Sequence, residues 1–281
     1  MCTPVSPESQ PECAAGWALG LGAPVDVEEA PNSNFDRGTS IAVDDEGNIY
    51  LVGTYNQQVD FGGGISTAGA DDPFVASFAS DGSYRWHTQF GGTGHDTGGG
   101  VAVVPGTNEI VVVGAVTGDP GLPGDWPDSG LRGFVARFDR TTGAVTASRV
   151  PGATEHSRAN SVVADATGVF VTGGFSGTFE VGIPRVSVGD EDMFAVRLDA
   201  ALEPTWNWAD GDTGKDLGRA DGTPAWTRGY GGLSNDNGNA LALALDGTVY
   251  VGGHFRETAT FETEAMVAAE GADIFLMRLS P

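Results

Sequence analysis

The sequence predicts an all-β protein, a β-propeller of four four-stranded blades whose ring is closed by an N-terminal strand. Two observations carry this. An apolar run with a fixed glycine is written four times, as IYLVGTY (49–55), IVVVGAV (110–116), VFVTGGF (169–175) and VYVGGHF (249–255). One strand-like segment is missing from the end of the series and stands at its beginning instead.

Each repeat holds four strand-like runs separated by turn residues. The first-strand segments are GTSIAVD (38–44), GGGVAVV (98–104), ANSVVAD (159–165) and GNALALA (238–244). The second are the apolar runs above. They read as strands packed on both faces, because they are apolar throughout rather than alternating. Gly53, Gly114, Gly173 and Gly253 recur at one position, where a neighbouring backbone or ring is expected to approach closely. Tyr55, Phe175 and Phe255 follow and would fill the space between blades. Val116 takes that place in the second repeat, which predicts looser packing there. The third segments are PFVASF (73–78), GFVARF (133–138), MFAVRL (193–198) and IFLMRL (274–279). The fourth are YRWHTQFGG (84–92), AVTASRVPG (144–152) and PAWTRGYGG (224–232).

The last fourth strand is absent after residue 279, and AGWALGLGA (15–23) supplies it from the N-terminus, with Trp17 where Trp86 and Trp226 stand. A linear stack has no use for such a displacement. A ring does, because pairing first and last segments removes exposed edges. The expected organisation is a leader, 1–14, and one propeller domain, 15–281, with repeats at about 36–95, 96–155, 156–235 and 236–281 plus 15–23. The period is 60, 60 and 80 residues from Asp36 to Asp96, His156 and Asp236, and the excess fits an insertion at 203–222. Gly breaks every candidate helix, and a β-sandwich would not give near-equal units with a displaced strand.

The pattern carried by Ala42 to Tyr55, Asp71 to Ala76, Trp86 to Gly92 and Asp96 to Ala102 resembles the bacterial SBBP-type β-propeller repeat. That resemblance implies an exported surface protein or lipoprotein, and a family whose members mostly lack an assigned activity. It also implies seven blades where this chain has room for four, so either a compact ring of four forms or two chains combine.

The net charge is −24, with Lys215 the single lysine. So acidic a surface repels nucleic acid and anionic membranes and favours cations. Cys2 and Cys13 lie in the Pro-rich leader. Met-Cys before a polar linker is what remains of a cut lipoprotein signal, making Cys2 a lipidation candidate and a bacterial surface or periplasm the expected location. The competing reading is an incidental cysteine, or a Cys2–Cys13 loop in an oxidising compartment. No apolar run approaches the ~20 residues of a membrane helix.

Asp36, Asp96, His156 and Asp236 are equivalent by repeat, each just before a first strand. Around a common axis they would form a metal site for Ca²⁺ or another divalent cation, with His95, Glu155 and Asn235 as a second layer. Alternatively each hydrogen-bonds backbone N–H groups of its own blade. Asp72, Asp192 and Asp273, and Arg137, Arg197 and Arg278, recur in most blades and read as scaffold. Ligand-binding candidates lie where the repeats differ: Trp126 in the loop 118–130, and Trp206 and Trp208 in the 203–222 insertion, which either stack on a ligand or cover blade edges. No G-x-S-x-G, H-E-x-x-H or P-loop is present. The expected function is a surface binding or scaffold module for a protein or glycan. The alternatives are a metal-dependent propeller hydrolase or lyase and a purely structural surface protein. A monomer is expected, with a dimer left open.

Overall fold

The computed structural model describes residues 18–21, 36–126, 130–150, 153–180, 184–187, 191–209, 230–231, 237–243, 249–261 and 264–279. Among them there are strands and no helix. Strands β1 (Arg37–Val43), β2 (Ile49–Asp60), β3 (Ile65–Phe78) and β4 (Tyr84–Gln89) form one antiparallel sheet in that order. Strands β5 (Thr97–Val103), β6 (Glu109–Thr117), β7 (Leu131–Asp139) and β8 (Val145–Arg149) form a second on the same plan. The third sheet joins β9 (His156–Asp165), β10 (Gly168–Ser176), β13 (Asp192–Leu198) and β14 (Pro204–Ala209). Strands β11 (Thr178–Phe179) and β12 (Arg185–Val186) form a separate two-stranded sheet following β10. In the fourth, β17 (Val249–Phe261) pairs β16 (Asn237–Leu243) and β18 (Glu264–Leu279), and its far end pairs β15 (Tyr230–Gly231).

Strands β6 and β10 are sandwiched between neighbouring sheets, which is why they do not alternate in polarity. Ile110 and Val112 of β6 face the first sheet, in one cluster with Tyr50, Val52 and Trp86. Val111 and Val113, one residue along, face the third, in a cluster with Val169, Val171 and Phe194. Each such side chain removed from water contributes about 1.5–3 kcal/mol. Val116 does not loosen the second sheet as expected. It is fully buried, because Phe90 arrives from the preceding sheet, edge-on to Phe134 at 5.2 Å, and Leu122 joins the same cluster.

The recurrent glycine has the role its position suggested. A Cβ on Gly53 would lie 2.0 Å from the Arg37 carbonyl oxygen, on Gly114 2.1 Å from that of Thr97, and on Gly173 1.9 Å from that of Arg158. The cause is a β-bulge in every first strand. Thr39, Gly99, Asn160 and Asn239 are each skipped by the ladder, immediately after the residue paired with that glycine. A bulge bends the strand and re-aims the extra residue, and here it is aimed at the next sheet. The Thr39 hydroxyl donates to the Gly98 carbonyl at 2.8 Å, and Asn160 Nδ2 donates to the Gly238 carbonyl at 3.0 Å. Gly99 has no side chain, and the Ala159 carbonyl closes to where its Cβ would be.

A second device repeats at the rim. The chain leaving each fourth strand crosses to the following sheet and bonds the end of its second strand or the extension beyond it. Thr93 N–H donates to the Thr117 carbonyl and Thr154 N–H to the Thr178 carbonyl, both at 2.9 Å. Tyr230 and Gly231 pair with Phe261 and Thr260.

One assignment differs from the sequence reading. The fourth strand of the third sheet is Pro204–Ala209, inside the stretch read as an insertion, and not 224–232, of which 224–229 and 232 lie outside the described residues. Two segments carry a Trp at suitable spacing. The nearer one pairs, because the tight turn closed by Asp199 N–H to the Glu203 carbonyl delivers it to β13 with the least chain to order. Trp206 stands opposite Arg197 as Trp86 stands opposite Ser77.

Candidate functional site

Two places were singled out by sequence, the entry to the first strands and the segments bearing blade-specific Trp residues. At the first, Asp96 is fully buried. Its carboxylate accepts from Gly92 N–H and from Thr117 N–H, the latter at 2.7 Å. Burial pushes its pKa above the ordinary carboxylate value, and the backbone bonds only partly oppose this. Asp36 accepts from Asn56 N–H at 3.1 Å in the equivalent place. Both therefore tie the entry of a first strand to the end of its neighbouring second strand. His156 is exposed and pairs through its backbone with Ser176. Without a carboxylate there, the buried Ser176 hydroxyl has no hydrogen-bond partner. Asp236 lies outside the described residues. Among the described residues no three His, Cys, Asp or Glu side chains converge as metal ligands would.

At the second place, Trp126 closes the loop between β6 and β7. Its indole N–H donates to the Leu122 carbonyl at 2.8 Å, and the half-buried ring packs on the core shared by the first two sheets. It is thus a fixed platform, flanked by exposed Asp125. Trp206 and Trp208 lie in β14 and not in a loop, so the expectation that they belong to a variable insertion is corrected by the pairing of that strand. Cys2 and Cys13 fall outside the described residues.

Several groups that sequence reasoning passed over turn out to be tied into clasps. His87 sits between two hydroxyls, Ser66 Oγ at 2.8 Å from Nε2 and Tyr84 OH at 2.9 Å from Nδ1, with the Phe61 ring 4.9 Å away. Burial lowers its pKa, against the pull of Asp60, so it is neutral at pH 7. A hydroxyl on an imidazole can be a nucleophile with its base, but Ser66 is buried. The nearby Gly62 and Gly64 N–H groups are already donated to Asp60. The trio fastens the end of the β2–β3 hairpin to β4. Only one repeat carries a His there, and that is the signal that could have found it.

Of the recurrent arginines, Arg137 and Arg197 are tied into the scaffold, as their repetition suggested; the Arg278 side chain lies outside the described residues. Arg137 pairs Glu109 at 2.7 Å and reaches the Asp199 carbonyl of the next sheet at 3.4 Å. Where the first sheet has Ser77, Arg85 from the adjacent strand supplies the guanidinium, 2.8 Å from Ser77 Oγ. Asp71 is held below its usual pKa: burial pushes it up, but bonds from Asn56 and His95 outweigh this. Beyond the C-terminal ends of β5, β9 and β16 lies an open groove of about 560 Å³, lined mostly by apolar residues including Val101, Val103, Val162, Ala164 and Leu243.

Residues 32–54 match the family model described as SBBP, a beta-propeller repeat. That span covers β1, the turn after it and the start of β2, and so contains the bulge and Gly53. The match agrees with antiparallel four-stranded sheets packed face to face in series. A comparison with curated proteins finds no match to the chain.

Proposed function

We propose that this chain is a β-propeller binding module whose ligand, a protein or a glycan, meets the loop between β6 and β7. The carrying observation is the fixed Trp126 platform. It is set in a loop, 118–130, that the other repeats do not share. A ring whose edge is already satisfied by its own loop presents a rigid apolar face without a cost in ordering, as ligand stacking requires. The net charge of −24 disfavours anionic ligands, so neutral glycans or basic protein surfaces fit best.

The same reading has a finer architectural form: four blades in this chain, and a ring closed by the N-terminal strand 15–23 completing a last blade. Leu21 supports it. Aligned by repeat it is the counterpart of Phe90, and it packs on the core of the first sheet as Phe90 packs on that of the second.

The test is calorimetric titration with a panel of neutral oligosaccharides and basic peptides, using the wild-type chain and Trp126→Ala. At least one ligand should bind, and the variant should weaken it tenfold or more, about 1.4 kcal/mol, with its melting curve retained. Equal affinity in the two proteins would end this reading.

A further inference from the structure

Among the described residues the first sheet and the fourth end the series with faces that no other sheet covers, each the counterpart of surfaces buried or half-buried at the internal junctions. Ile41, Val101 and Val162 occupy one register position, opposite Leu51, Val112 and Val171. Val101 is 6% exposed and Val162 5%, whereas Ile41 is 64% and its neighbour Val43 58%. On the opposite side, Tyr50, Val111, Phe170 and Tyr250 share a position. The first three are 0%, 0% and 9% exposed, and Tyr250 is 36%.

The polar contacts show the same two open halves. At two junctions a bulged side chain reaches the following sheet, Thr39 to the Gly98 carbonyl and Asn160 to the Gly238 carbonyl. The fourth bulged residue is Asn239. It is exposed, and among the described residues its side chain bonds to His254 of its own sheet. The carbonyl it would reach in a further junction of this kind belongs to Gly38, also exposed.

Among the described residues these halves do not meet. β5 packs on the first sheet, β9 on the second and β16 on the third, but no packing of comparable extent joins β1–β4 to β15–β18 among the described residues. A quarter turn at each of three junctions would have brought the fourth sheet onto the first. Among the described residues the first and fourth sheets share no junction of this kind.

From this we infer that a second copy of the chain completes the ring. The face of one copy's fourth sheet, with Tyr250 and Asn239, docks on the other's first sheet at Ile41, Val43 and the Gly38 carbonyl, twice over by a twofold axis. Head-to-tail surfaces of this kind build closed rings when the rotations add up to a turn. Eight blades lie within the range propellers adopt. The interface is the same one used at the three internal junctions, so no new surface is needed. It rests on the ring closure proposed above and adds where the closure comes from. Leu21 already lies on its own first sheet, so the N-terminal strand completes the last blade of the other copy, and the two chains exchange strands.

The experiment is light scattering on the purified full chain over a hundredfold concentration range, with Ile41→Asp and Tyr250→Ser alongside. A mass twice the 28.8 kDa of one chain, falling to one chain in both variants with β circular dichroism intact, is the expected result. A cysteine pair, Gly38→Cys with Asn239→Cys in a Cys2→Ser, Cys13→Ser background, identifies the partner even if a variant fails to fold. Oxidation should give covalent dimers. A single-chain mass, or a disulfide confined to one chain, would overturn the second copy while leaving the ligand-binding reading to its own titration.

Discussion

Gly114→Ala adds one methyl group, and the structure says where it must go. The new carbon would sit 2.1 Å from the Thr97 carbonyl oxygen and 2.6 Å from the nearest Phe134 ring atom. The ring is itself fully buried, and the carbonyl belongs to the strand leading into the bulge. Neither can step aside without opening the β5–β6 ladder. Overpacking of this sort costs about 3 kcal/mol at the upper end of its usual range. The variant's stiffer unfolded chain offsets about 0.7 kcal/mol, leaving a loss of about 2 kcal/mol. For a domain of this size that lowers the melting temperature by roughly 5 °C. Gly69→Ala is the control: its Cβ would have nothing within 4 Å, so the same entropy term should leave it neutral or slightly stabilised. Urea unfolding of the three proteins measures both effects. If Gly114→Ala were as stable as wild type, the close approach at the bulge would not be what fixes glycine there.

Two further outcomes follow from single groups. Asp96→Ala should cost about 3 kcal/mol in urea unfolding, because it strands the Gly92 and Thr117 N–H groups at a fully buried site; a loss under 1 kcal/mol would mean water replaces the carboxylate. His87 has its folded pKa lowered by burial, so the unfolded chain takes up the proton first. Stability should therefore be complete above about pH 6.5 and fall as the pH drops below that unfolded value. Melting curves between pH 8 and 5 should show this fall, reduced in His87→Gln, and an equal fall in the variant would assign it to other groups.

Much of this was legible because packing between sheets leaves a mark on every repeat. IVVVGAV is apolar on both faces because both faces are covered, and Gly53, Gly114 and Gly173 are fixed by a carbonyl that comes too close for any other residue. The sheet-to-sheet side-chain bonds were not legible. Thr39, Gly99, Asn160 and Asn239 share a position but not one side chain, and only the skipped pairing shows that each stands at a bulge. The strand-entry acids could be read two ways from sequence. Equivalence by repeat makes Asp36 and Asp96 alike, and the structure shows their oxygens accepting from Asn56 and Thr117 of their own sheets. Trp206 shows a third limit: two segments fit the fourth strand of the third sheet, and choosing between them depends on the turn at Asp199–Glu203, whose geometry no periodicity reports.

Four of the bonds spanning the junctions share a direction. Thr39, Trp86, Arg137 and Asn160 are side chains of an earlier sheet, and they end on the carbonyls of Gly98, Arg140, Asp199 and Gly238 in the next. A carbonyl does not change when its residue mutates. In these four pairs the later partner contributes only a backbone oxygen, although Gly98 and Gly238 are themselves held by the close approach of the Gly53 carbonyl and the Thr172 hydroxyl. A repeat copied within the gene would find on both sides surfaces it already fits, so such an array can lengthen or shorten by whole repeats with little to relearn.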